Sequence, residues 1–70
     1  MGEQWVIGRY VDGRWEWLAN DMAPFAFVER LDDAKRFTSF DASNVWDRSS
    51  TTECIMHIEA AKAIAERWKP

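Results

Sequence analysis

Few residues in this chain could carry covalent chemistry. Cys54 is its single cysteine and His57 its single histidine. Three positions apart on one helix they would be neighbours, the placement a thiol nucleophile and its general base require. Ile55 and Ile58 flank them, however, and a cysteine among aliphatic residues is ordinarily a small core side chain. Asp32-Asp33 and Asp41 with Asp47 are the carboxylate pairs that could share acid and base roles. Adjacent aspartates at a helix start have a simpler use, capping backbone amides and complementing the helix dipole. Metal chemistry has no support in the spacing, since neither an EF-hand loop nor an HExxH segment occurs. One cysteine excludes multi-cysteine zinc or iron–sulfur sites. With glycines only at 2, 8 and 13, no phosphate-cradling loop can form. The sequence therefore points to no enzyme, no metal and no cofactor.

Size and charge narrow the remaining classes. A chain of 70 residues supports one small domain, which buries only about 60% of the surface its unfolded chain exposes. We expect one compact domain over residues 1–70. Five Trp, four Phe and one Tyr supply the burial such a domain needs without disulfides. The net charge of −3 and a pI near 5.0 oppose the basic footprint of direct DNA or RNA binding. No apolar run approaches the roughly 18 residues of a membrane span, and a lone cysteine suits a reducing compartment. The expected location is the cytoplasm of a bacterial host.

The elements that would position any site begin with a hairpin. Gln4–Tyr10 and Arg14–Ala19 are rich in aromatic and β-branched residues, and Asp12-Gly13 between them is the signature of a two-residue turn with positive φ at both positions. That turn pairs Val11 with Arg14, Tyr10 with Trp15, Arg9 with Glu16, Gly8 with Trp17, Ile7 with Leu18 and Val6 with Ala19. One face then carries Val6, Tyr10, Trp15, Trp17 and Ala19, with Gly8 leaving room for the ring of Trp17, and is assigned to the core. The other carries the Arg9–Glu16 pair together with Trp5, Ile7 and Leu18.

Phe25–Arg30 has the composition of a third strand. Residues 32–37 read as a short helix with an acidic start and a basic end. Thr38-x-x-Asp41 resembles a second helix start, leading to Val45 and Trp46. Ser50-x-x-Glu53 fits a capping box, and Ile55, Ile58, Ala61, Ala65 and Trp68 follow at helical spacing. Cys54–Ile58 also suits a fourth strand with the helix starting at Glu59, but the continuous helix is the reading preferred. The fold class expected is α+β: a small antiparallel β-meander of about three strands, packed by a C-terminal helix and one or two short helices.

Two features remain for function. Five tryptophans exceed what one small core can bury fully, and tryptophan is enriched in protein-binding hot spots. An apolar outer hairpin face makes Trp5, Ile7 and Leu18 a candidate contact patch. The second feature is the acidic middle, where Asp21, Glu29, Asp32, Asp33, Asp41 and Asp47 face only Arg30, Lys35 and Arg36. If folding gathers Glu29, Asp32, Asp33, Asp41 and Asp47 on one side, they could imitate a row of phosphates in another protein's basic groove.

The run Trp5-Val6-Ile7-Gly8-Arg9-Tyr10-Val11-Asp12-Gly13, followed by Asp33-Ala34-Lys35-Arg36-Phe37-Thr38-Ser39-Phe40, resembles very small phage and mobile-element proteins. Among these it most resembles anti-CRISPR proteins directed at type I effector complexes, a likeness of size, acidity and layout along most of the chain. The resemblance implies an inhibitor that binds a basic, nucleic-acid-binding Cas subunit and blocks recruitment of target DNA, in some members by presenting acids where DNA phosphates would sit; a monomer is expected. Such inhibitors share no common site pattern, so it assigns no residue. The alternative is a phage accessory or structural protein that oligomerises through the outer hairpin face.

Overall fold

The computed structural model describes residues 3–49 and 53–68. It begins with the hairpin. β1 (Trp5–Val11) pairs antiparallel with β2 (Arg14–Leu18), with Val11 opposite Arg14, Tyr10 opposite Trp15, Arg9 opposite Glu16 and Gly8 opposite Trp17. Asp12 and Gly13 have φ of 53° and 83°, the left-handed pair that an Asp-Gly turn supplies. The two further pairs expected, Ile7 with Leu18 and Val6 with Ala19, are not in this ladder. The ladder with β1 ends at Trp17, while on its other edge β2 pairs with the short β3 (Phe27–Val28), and Ala19 N–H donates to Ala26 C=O at 2.8 Å.

The space this opens beside β1 is filled by Lys35–Phe37. Trp5 and Phe37 exchange two backbone hydrogen bonds of 2.9 and 2.8 Å, and Lys35 N–H donates to Leu18 C=O at 3.0 Å. The helix expected over residues 32–37 is therefore confined to one 3-10 turn, Leu31–Asp33. Backbone pairing with Trp5 and burial of the Phe37 ring outweigh the local charge pattern that suggested a helix. α1 (Ser39–Ser49) starts where Thr38 predicts it should, with the Thr38 hydroxyl accepting from Asp41 N–H at 3.0 Å.

The continuous C-terminal helix is corrected. Cys54–His57 is a strand, β4, which pairs antiparallel with the free edge of β1 and gives a four-stranded sheet of order β3-β2-β1-β4. Glu53 is buried ahead of β4 and enters no helix, while Ser50 to Thr52 of the expected capping box lie outside the described residues. α2 (Ile58–Arg67) starts directly from the strand. Its cap is His57, whose Nδ1 accepts from Glu59 N–H at 3.1 Å. Small α+β architecture is what the structure shows, with one strand more than expected.

Alternation along the strands sorts two cores. Val6 and Trp17 face α2 and pack with Leu31, Ile58 and Ala61. Ile7 and Leu18 face α1 and pack with Phe37, Ala42 and Val45. The sheet is thus covered on both faces, by one helix each, and that is why the hairpin is apolar on both sides.

Candidate functional site

Ile7 and Leu18 are each 0% exposed, lying beneath α1 in the second core, with Trp5 half-buried against them. The expected contact patch is therefore a core, covered by α1. Beyond the reach of α1, the same face ends in a charged arrangement. Arg9 Nη2 lies 2.8 Å from Glu16 Oε1, and the guanidinium sits 3.7 Å from the centre of the Phe27 ring.

The acids expected to form one row are divided by the sheet. Glu29 and Asp32 line a groove beside α2, together with Trp15, Trp17, Trp68 and Glu66. Asp41 projects from α1, on the opposite face, and lines a different groove with Glu3, Asp21, Lys35 and Arg36. Asp33 is exposed on the 3-10 turn and lines neither groove. Asp47 lies in α1, its side chain outside the described residues. Of the four acids with described side chains, two line one groove. The division follows from topology, because Leu31 anchors its turn against the α2 core while Ala42 and Val45 seat α1 on the other.

What the α2 face does gather is aromatic. The rings of Trp15 and Trp17 stack with centres 5.6 Å apart, Tyr10 lies 5.7 Å from Trp15, and Trp68 meets Tyr10 edge-on at 5.6 Å. Trp17 is the buried end of this strip, whereas Tyr10 is 52% and Trp68 45% exposed. Chain geometry accounts for the gradient. α2 leaves β4 at the Trp5 end of the sheet and runs about 15 Å over its ten residues. Val6 to Tyr10 spans about 13 Å of strand, so the helix stops level with Tyr10 and the hairpin tip stays open. Tyr10, Trp15 and Trp68 were missed as contact residues in the sequence. Cross-strand pairing of Tyr10 with Trp15 at the turn end was the available signal.

The groove beside this strip measures about 460 Å³, and a second of about 330 Å³ continues it to Asp12-Gly13. The two share Trp15, Glu29 and Trp68. Glu29 is half-exposed there, and Arg14 Nη1 reaches its Oε2 at 3.2 Å. Arg30 approaches Asp32 at 3.8 Å and Lys62 approaches Glu59 at 3.6 Å, both across exposed surface. Such pairs contribute little and exchange readily with other partners.

The residues weighed for catalysis are placed otherwise. Cys54 is exposed at the start of the edge strand. His57 engages its Nδ1 in the helix cap and sets its ring edge-on to Trp5 at 5.4 Å. Among the described residues, no group of three or more His, Cys, Asp or Glu is arranged to hold a metal ion. No helix among them is long and apolar enough to cross a membrane. No protein-family model, curated protein or solved structure matches the chain.

Proposed function

We propose that this domain is a noncatalytic inhibitor that works by binding another protein through the aromatic strip on its α2 face. Support comes chiefly from one observation: Tyr10 and Trp68 remain about half-exposed while in ring contact with the strip that leads to the core. Rigid aromatic area of this kind, seated on a packed base, is what protein-binding hot spots offer. The resemblance to small anti-CRISPR proteins names the partner class, a basic DNA-binding subunit of a type I effector complex.

Glu29 and Asp32 beside the strip are suited to a basic partner. Inhibition would then follow from occlusion around the aromatic anchor, with these two acids competing for cations that otherwise meet DNA phosphates. A full row of phosphate-like charges has no geometric support, given that Asp41 stands on the other face. Oligomerisation through Trp5, Ile7 and Leu18 likewise loses its surface.

The test is a mobility-shift assay with purified type I effector complexes, one per subtype, and labelled target duplex. Addition of the protein in modest molar excess is expected to abolish DNA binding by at least one complex. Trp68→Ala should restore that binding, and undiminished DNA binding by every complex would overturn the proposal.

A further inference from the structure

We infer that the furrow centred on Glu29 takes an arginine-bearing segment of the partner, seating its guanidinium between the Glu29 carboxylate and the Trp15 and Trp68 rings. This rests on the reading of the α2 face as the binding surface and specifies the chemistry that it recognises. Glu29 lines both grooves at the point where both are also lined by Trp15 and Trp68. A carboxylate sharing a groove with indole rings offers a cation both charge and π-faces. Arginine matches it better than lysine, because a planar guanidinium can stack and donate at once.

The chain itself shows what such a site accepts. Arg14, also lining the furrow, already sets its guanidinium against Glu29, in a pair that is exposed on both sides. It is a tethered stand-in that an incoming arginine can displace. On the opposite face the same combination is closed: Arg9 sits over the Phe27 ring while bonded to Glu16. Formal charge along the furrow is balanced, with Asp12, Glu29, Asp32 and Glu66 against Arg14, Arg30, Lys62 and Arg67, so recognition rests on Glu29 beside the rings and not on net charge. Lys62 and Arg30 have acidic partners in Glu59 and Asp32.

Because Arg14 competes for the site in this account, removing it has a sign that separates the account from its opposite. The test is a titration of intrinsic tryptophan fluorescence, at low ionic strength, with the end-blocked peptide Gly-Arg-Gly-Arg-Gly and its glutamate counterpart. Saturable binding of the arginine peptide is expected, with none for the glutamate peptide. Glu29→Gln should weaken it about threefold, and Arg14→Ala should tighten it about two- to fivefold. Both positions are exposed, so the variants keep the fold, checked by circular dichroism.

Absence of binding, equal binding of the glutamate peptide, indifference to Glu29→Gln, or weaker binding by Arg14→Ala would each overturn the inference. Its failure is separable from failure of the broader reading. An effector complex still inhibited in a Trp68-dependent way would leave the surface assigned and only its arginine specificity refuted.

Discussion

Gly8 is where this fold is most exposed to a single added methyl group. A Cβ built at Gly8 would stand 2.6 and 2.7 Å from two ring carbons of Trp17 and 3.3 Å from one of Trp15. Real Cβ atoms do not approach ring carbons so closely, so something has to move. Trp17 is 1% exposed and is held on its far side by the α2 core. It is also stacked on Trp15, with only 17° between the rings, so the indole cannot slide without carrying its neighbour. Forcing a methyl group into such a core costs about 1 to 3 kcal/mol. Gly→Ala otherwise favours folding by about 0.4 to 1 kcal/mol through the unfolded chain. The net for Gly8→Ala is a loss of about 0 to 2.6 kcal/mol, and the central value of about 1.3 kcal/mol corresponds to a fall in Tm of about 5 to 10 °C for a domain of this size.

Thermal denaturation followed by near-ultraviolet circular dichroism, which reports the stacked indoles, measures this loss. Trp17→Leu supplies the control. Alone it opens a cavity, but in the Gly8→Ala background it also relieves the clash, so the double variant should be more stable than the two single losses predict, by about 1 kcal/mol or more. Gly8→Ala above wild-type stability, or strict additivity in the cycle, would refute the account of Trp17 lying across Gly8.

Ile7→Ala and Leu18→Ala should each cost about 2 to 5 kcal/mol in urea denaturation, as fully buried aliphatic residues do; a loss under 0.5 kcal/mol would mean that α1 does not cover them. His57→Ala removes the α2 cap and should cost about 0.5 to 2 kcal/mol, while His57→Asn, which can accept the same amide, should recover most of it; equal loss in both variants would place the effect in the Trp5 contact instead. Cys54→Ser should change stability by no more than about 0.5 kcal/mol, and the native thiol should react with a colorimetric disulfide reagent as fast as the unfolded one; a protected thiol would contradict its exposure on the edge strand.

How far the sequence carried this structure depended on whether the deciding interaction was local. The Asp12-Gly13 turn was legible because its constraint lies within two residues, both at positive φ. So was the start of α1, fixed by the Thr38 hydroxyl on a nearby amide. The segment from Cys54 to Ile58 was ambiguous, since Ile55 and Ile58 suit a helical face while Met56 and Ile58 suit one side of a strand. A remote fact settles it: β1 has a second edge that needs a hydrogen-bonding partner, and β4 supplies it. Phe37 is a similar case, drawn into extended backbone by Trp5, more than thirty positions away.

The site was readable to a lesser degree. Glu29 and Asp32 could be named as site residues, while Trp15 and Trp17 were legible only as core, and their meeting with Trp68 depends on how far α2 runs across the sheet. Apolar residues on both hairpin faces pointed toward two covering helices. They read as a patch because, among the described side chains of α1, only Ala42 and Val45 are deeply buried, too faint an amphipathic pattern to reveal a second cover.

The same geometry separates what folds this domain from what it offers to a partner. Each core is thin, and the aromatic strip crosses from one of them to solvent, with Trp17 inside and Trp68 at the rim. Trp17 has no substitute there, since its ring occupies the space that Gly8 leaves. Trp68 follows the last turn of α2, fixed by its N–H donating to Ile64 C=O at 2.9 Å, a bond that any residue but proline can make. Truncating Trp68 therefore removes exposed ring area and little of the core, whereas truncating Trp17 removes the core itself. A binding surface built this way can change its rim residues, and so its partner, while the glycine–tryptophan contact beneath continues to hold the sheet against α2.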